Sequence, residues 1–140
     1  MLPDNLFSGT AIPALEQVVG FSQARHNVLA GNIANMDTPG YRALDLSPEK
    51  FQARLKSAIE DRHRSVSGGA SESAAAMFHE ADPVAAVADN LQSILHHDDS
   101  NVALEQQVTE MAKNQMQHNL ALAIMTSQFR LLQSAISERA

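Results

Sequence analysis

Cysteine is absent from this chain of 140 residues. That excludes disulfides, thiolate nucleophiles and cysteine-based zinc sites together, and it leaves the redox compartment open. Aromatic residues amount to 4%, with one tyrosine, and the chain holds only 6 glycines and 5 prolines. Basic residues are also scarce, 10 against 16 acidic ones, for a formal net charge of -6. The lysines and arginines scatter along the chain, so a surface that tracks nucleic-acid phosphates is not expected. Long hydrophobic runs are missing too. The longest apolar stretch, LALAIM at residues 120–125, is far too short to span a bilayer. The opening MLPDNLFSGTAIPALEQ carries Asp4 and is followed by no Lys or Arg before Arg25, so the basic n-region of a cleaved secretory signal is lacking. The expectation is a protein that stays in the cytoplasm or leaves by a route needing no such signal. At 44% apolar and 19% charged, the composition predicts one soluble, mostly helical unit.

What is present is helical periodicity. Ile12, Leu15, Val19, Ser22, His26, Leu29, Ile33 and Met36 recur at spacings of three and four, the seam of a heptad. Thr10 is placed to cap this helix, Pro13 falls in its first turn, and Pro39 forbids continuation. A second seam runs through Asn101, Leu104, Val108, Met111, Gln115, His118, Leu122, Met125, Phe129, Leu132 and Ile136. Between them, residues 47–61 read as a short charged helix opened by Ser47 and Pro48, and SVSGGASESAAA at residues 65–76 reads as a flexible connector. The fold class expected is mainly α. Long N- and C-terminal helices (11–37 and 101–138) pair as an antiparallel coiled coil, with the turn and an irregular middle at 38–100.

Charge is distributed unevenly. Residues 12–36 carry only Glu16 and Arg25, and residues 114–129 carry no formal charge, whereas seven of the fourteen residues at 49–62 are charged. A solvated helix face usually carries about a quarter to a third charged residues, so something other than water is expected to cover the two long helices. A helix of about 25 residues is roughly 38 Å long, and two such rods make a hairpin that buries one stripe on each. A coiled-coil dimer or four-helix bundle would cover the rest, and so would assembly into a larger array.

The stretch NIANMDTPGY ends the first helix. Thr38-Pro39-Gly40-Tyr41 suits a type II turn, with Pro39 fixing φ at the second position and Gly40 taking φ > 0 at the third. Tyr41 is then placed to lay its ring on the helix end or on a neighbour while its hydroxyl finds a polar partner. Other constellations read as surface. His96-His97-Asp98-Asp99 offers successive residues that do not converge on one ion, and Glu60-x-x-His63 occurs once where a di-iron bundle needs it twice. His26 and His118 sit on the seams, as a polar layer fixing register or as pH-sensitive contacts. Met111, Met116 and Met125 read as adaptable core. No nucleophile motif is recognisable. Neither an enzyme, a cofactor, a metal nor a small-molecule substrate is expected.

RHNVLAGNIANMDTPGYRALDL, residues 25–46, resembles the N-terminal signature of the bacterial flagellar axial proteins, the rod and hook family. The C-terminal DDSNVALEQQVTEMAKNQMQHNLALAIMTSQFRLL and the small size are most similar to the smaller basal-body rod proteins of that family. On this resemblance Asn32, Asn35, Thr38, Pro39, Gly40 and Tyr41 belong to the signature and to subunit contact, and Asn101, Val102, Leu104 and Glu105 match the start of the C-terminal helix. Where the family commonly has aspartate-glycine-asparagine, this chain has Asp99-Ser100-Asn101. The resemblance implies a non-enzymatic rod subunit that passes unfolded through the flagellar type III export apparatus into the periplasmic part of the basal body. Its implied partners are copies of itself, other rod proteins, and the inner-membrane ring and rod-base proteins. A soluble helical adaptor or flagellar export chaperone is the alternative that shares the helix-end chemistry.

Overall fold

A computed structural model describes residues 10–67, 92–93 and 102–138. Helix α1 spans Ile12–Ala34, α2 spans Pro48–Ser67 and α3 spans Val102–Ser137. The chain is mainly helical, its two long helices pack against each other, and the short one lies between them in sequence. Two residues of strand β1, Leu44–Asp45, pair antiparallel with β2, Gln92–Ser93, with Leu44 opposite Ser93 and Asp45 opposite Gln92.

Local chemistry sets the helix ends. At the start of α1 the cap residue is Ala11, not Thr10, whose hydroxyl accepts a long bond from the Ile12 N–H at 3.4 Å. Proline in the first turn of α1 gives up only an N–H that has no intrahelical partner. At the other end, Asn35 closes the helix from both main chain and side chain. Its backbone N–H and its Nδ2 donate to the Gly31 carbonyl at 3.1 and 2.8 Å. Ser47 opens α2, its Oγ accepting from the Lys50 N–H at 3.3 Å and donating to Glu49 at 2.9 Å. The Glu49 backbone N–H and the Ser47 hydroxyl hold that carboxylate below its ordinary pKa, and its charge suits a helix N-terminus. α2 continues to Ser67, so the first three residues of the expected connector are helical. The rest of that connector and the His96-His97-Asp98-Asp99 run lie outside the described residues.

α1 is covered on two sides. Toward α2, Phe21, Leu46 and Phe51 form a buried cluster joined by Val18, Ala24, Val28 and Leu55. The rings of Phe21 and Phe51 stack with centroids 4.1 Å apart and planes 7° from parallel. Toward α3, Ser22, Arg25, Leu29 and Asn32 are buried. Contacts pair falling α3 numbers with rising α1 numbers, Ser22 with Asn114, Arg25 with Glu110 and Asn32 with Gln107, so the two helices run antiparallel. The hairpin expectation underestimated α2, which supplies part of α1's cover.

Truncating Phe51→Ala is expected to cost about 3 kcal/mol by chemical denaturation, the usual scale for a buried ring. Met116→Ala, at a site 72% exposed, is expected to stay within about 0.5 kcal/mol of the parent.

Candidate functional site

The chain leaves α1 through a turn whose geometry its sequence demands. The Tyr41 N–H donates to the Thr38 carbonyl at 3.1 Å, and Gly40 has φ +78°, as the third position of a type II turn requires. Thr38, Pro39 and Gly40 are exposed at the surface. Beyond the turn the chain is pinned back onto α1 by two buried side chains.

The first pin is Asn32, which is 2% exposed. Its Nδ2 donates to the Leu44 carbonyl at 2.6 Å and to Gln107 Oε1 on α3 at 3.0 Å. Its Oδ1 accepts from the Leu44 N–H and from the Tyr41 hydroxyl, both at 3.1 Å. Both amide hydrogens and both lone pairs are therefore in use, and the side chain pairs with Leu44 much as a neighbouring strand would. Tyr41 lies 39% exposed, its ring free to one side and its hydroxyl fixed.

The second pin is Arg25, two helical turns earlier and 4% exposed. Its Nε and Nη2 grip the Asp45 carboxylate at 2.9 and 2.7 Å, and Nη2 also donates to Glu110 at 3.0 Å. Burial works against this cation, but the hydrogen bonds and charges of Asp45 and Glu110 outweigh it and raise the guanidinium pKa above its ordinary value. Asp45 Oδ1 accepts further from the Leu46 N–H at 2.8 Å. On Glu110, the hydrogen bond from Lys113 and the nearby Arg25 guanidinium hold the carboxyl below the usual range, against its partial burial.

The expected seams are found in part. On α1, Leu29 is buried and Leu15, Val19 and Ile33 are half-buried, while Arg25 and Asn32 are buried one position before His26 and Ile33. On α3, Met111, Met125 and Leu132 are half-buried, but Leu104, Val108, Leu122, Phe129 and Ile136 are exposed. The buried positions there are Gln107, Asn114 and Ala121, each one residue earlier than an expected seam member. The correction has a physical cause. α1 presents an amide at Asn32 and a carbonyl at Ser22, which Gln107 and Asn114 satisfy, the latter through Nδ2 at 2.7 Å. Apolar periodicity alone marks the stripe beside this contact.

Two clefts flank the seam. An apolar one of about 230 Å³ lies between Leu15, Val18 and Phe21 of α1, Phe51 and Leu55 of α2, and Leu120 and Ile124 of α3. A polar one of about 210 Å³ is lined by Gln23, His26 and Asn27 across from Asn114, Gln115 and His118. His26 Nδ1, His118 Nδ1 and Asn114 Oδ1 are buried there without a hydrogen-bond partner. His63 is exposed, with Nδ1 2.8 Å from the Ile59 carbonyl. Among the described residues no three His, Asp or Glu side chains gather to hold a metal ion, and no helix is long and apolar enough to cross a membrane. Sequence reasoning missed Arg25, Asp45, Gln107, Glu110 and Asn114. The signal for Arg25 was its isolation as the one cation in a helix nearly free of charge.

Known proteins with related sequences bear on this site. The sequence profile described as "Flagella basal body rod protein" matches residues 22–42, the segment that holds Arg25, Asn32 and the turn. The flagellar basal body rod protein FlgB of Bacillus subtilis is 27% identical over 137 residues, covering 95% of this chain and 97% of its own length. The protein of that name from Salmonella typhimurium is 28% identical over 122 residues, and the one from Escherichia coli 26% over 119, each covering 82% of this chain and 84% of its own length. No solved structure matches this chain.

Two outcomes are expected of variants at the pins. Asn32→Asp sets a buried carboxylate oxygen against the Leu44 carbonyl, even where Gln107 turns its amide to donate, and should cost about 2–4 kcal/mol, with loss of hydrogen-exchange protection at the Leu44 amide as the local readout. Glu110 contributes stability above its unfolded pKa, near 4.5, because its folded pKa is depressed, and that contribution is lost as pH falls through the folded value. Denaturation midpoints followed downward from neutral pH should therefore drop more steeply in the parent than in Glu110→Gln.

Proposed function

The chain belongs to the flagellar basal body rod protein family and is a structural subunit of that rod, and from this premise we propose that it works by self-assembly through the region where its buried polar contacts concentrate. The observation that carries the reading is the coincidence of two things in residues 22–42. This is the segment the family profile matches, and it is where Arg25 and Asn32 lock the returning chain to both long helices.

In this reading copies of the chain, with other rod proteins, pack side by side, and neighbours supply the cover that the uncharged residues 114–129 lack. Asn35, Thr38, Pro39 and Gly40 close α1 and present the turn at the surface, and Tyr41 offers one ring face to an adjoining subunit. The paired helices line the export channel. A rod that transmits torque needs a stiff joint where each subunit's chain changes direction, and two buried hydrogen-bonded side chains supply one. The subunit travels unfolded through the flagellar type III export apparatus, without a cleaved signal, and joins the inner-membrane ring and rod-base proteins in the periplasmic space.

A Gly40 series tests the turn's part. A Cβ built there meets nothing within 4 Å, so any penalty comes from the backbone alone. At φ +78° a β-branched side chain pays about 1–2 kcal/mol and pushes the chain toward another exit direction. Gly40→Val is expected to be made and exported yet missing from basal bodies, leaving complemented cells non-motile. Gly40→Asn, which tolerates positive φ better, should retain more swimming. Equal and near-normal motility for both would remove the turn from the mechanism.

A further inference from the structure

The polar cleft beside the α1–α3 seam is built from both helices and converges on one level. Asn114 is 1% exposed, and its Nδ2 donates to the Ser22 carbonyl at 2.7 Å. A carbonyl only accepts, so that amide cannot be turned the other way, and its Oδ1 is an acceptor buried without a partner. His118 follows Asn114 by one turn on α3, and His26 follows Ser22 by one turn on α1. Side chains on a helix lean back toward its N-terminus. In antiparallel helices the two imidazoles therefore lean toward the Ser22–Asn114 contact from opposite ends. Both line the cleft of about 210 Å³, and the Nδ1 atom of each is buried without a hydrogen-bond partner.

Two imidazole nitrogens and an amide oxygen make a donor set with a definite preference. Imidazole suits zinc, nickel and copper, whereas magnesium and calcium are held by carboxylates and other oxygen ligands. Among the described residues no carboxylate lines this cleft, and the chain has no cysteine to draw in softer ions. We propose that the cleft binds a divalent first-row transition-metal ion, with His26 Nδ1 and His118 Nδ1 as ligands, Asn114 Oδ1 as the third donor and water completing the coordination. Each imidazole binds through the lone pair of its neutral form, with the proton on Nε2. Because each long helix contributes one imidazole, the ion ties α1 to α3 at a level where amides hold the seam. Only the paired helices present all three donors, so the bound ion stabilises the hairpin and is released when the helices part. The site stands apart from the assembly reading and does not depend on it.

The full chain, without an affinity tag, is titrated with Ni2+ by calorimetry. Saturation at one ion per chain is expected. His26→Gln and His118→Gln should each weaken binding about tenfold or more, since losing a direct ligand costs no less than losing an outer-shell partner. His96→Gln with His97→Gln removes the adjacent histidine pair of the sequence and should leave the affinity unchanged. Ni2+ is also paramagnetic, so NMR of the parent needs no variant: the ring signals of His26 and His118 are expected to broaden first. Ni2+ should raise the melting temperature of the parent but not of the His26→Gln, His118→Gln double variant. Binding that is lost with His96 and His97, broadening confined to other histidines, or an equal rise in melting temperature for the double variant overturns the inference. So does the absence of saturable binding, which would leave the cleft to water alone.

Discussion

The amide of Asn32 is the constraint on which the other contacts depend. A buried side chain with two donors and two acceptors is tolerable only when all four are matched, and here they are matched by three separate parts of the chain. Leu44 is held by main chain, Tyr41 by its hydroxyl and α3 by Gln107. With Leu44 fixed, each following residue falls into place. Asp45 meets Arg25, Leu46 slides under Phe21 and Phe51, and Ser47 opens α2. Four consecutive residues are thus assigned four different tasks, and shifting any one would displace the rest.

The antiparallel seam is correspondingly unusual in what holds it. Along much of its length the facing groups are amides, a guanidinium and carboxylates, with Leu29 and Ala121 as its fully buried apolar members. Such contacts contribute less net stability than hydrocarbon of the same area, because each exchanges hydration for a bond of similar strength. They contribute register instead. A shift of one turn along α1 would separate Arg25 from Glu110 and Asn32 from Gln107 together, whereas leucines would slide to new leucines.

The parts of this fold governed by local chemistry could be read from the residues alone. The existence of both long helices and the left-handed Gly40 follow from apolar periodicity, proline and glycine at their positions, although the first helix stops at Ala34, three residues before the expected end, because Asn35 closes it on the Gly31 carbonyl. The seam register did not follow. Val108 and Leu122 carry the stronger hydrophobic signal, yet Gln107 and Asn114 are the residues α1 needs, and an amide in a helix looks the same in a sequence whether it is solvated or buried. The grip of Phe51 on Phe21 was equally hidden, since each ring is unremarkable in its own helix and the pairing exists only once Leu46 has brought α2 across.

The contacts that join α1 to α3 bridge 75, 85 and 92 residues of chain. Closing loops of that size is costly at the outset, though the cost rises by only about 0.6 kcal/mol for each doubling of length. Topology of this kind slows folding, because the entropy must be lost before distant partners repay it. It also sets an order of events. Arg25 and Asn32 are made before Glu110 and Gln107 and wait for them. Until then α1 holds a guanidinium and an amide on the face that will later be dry, and water suits them better than any partial fold does. The later of the two long helices decides when the earlier one becomes rigid.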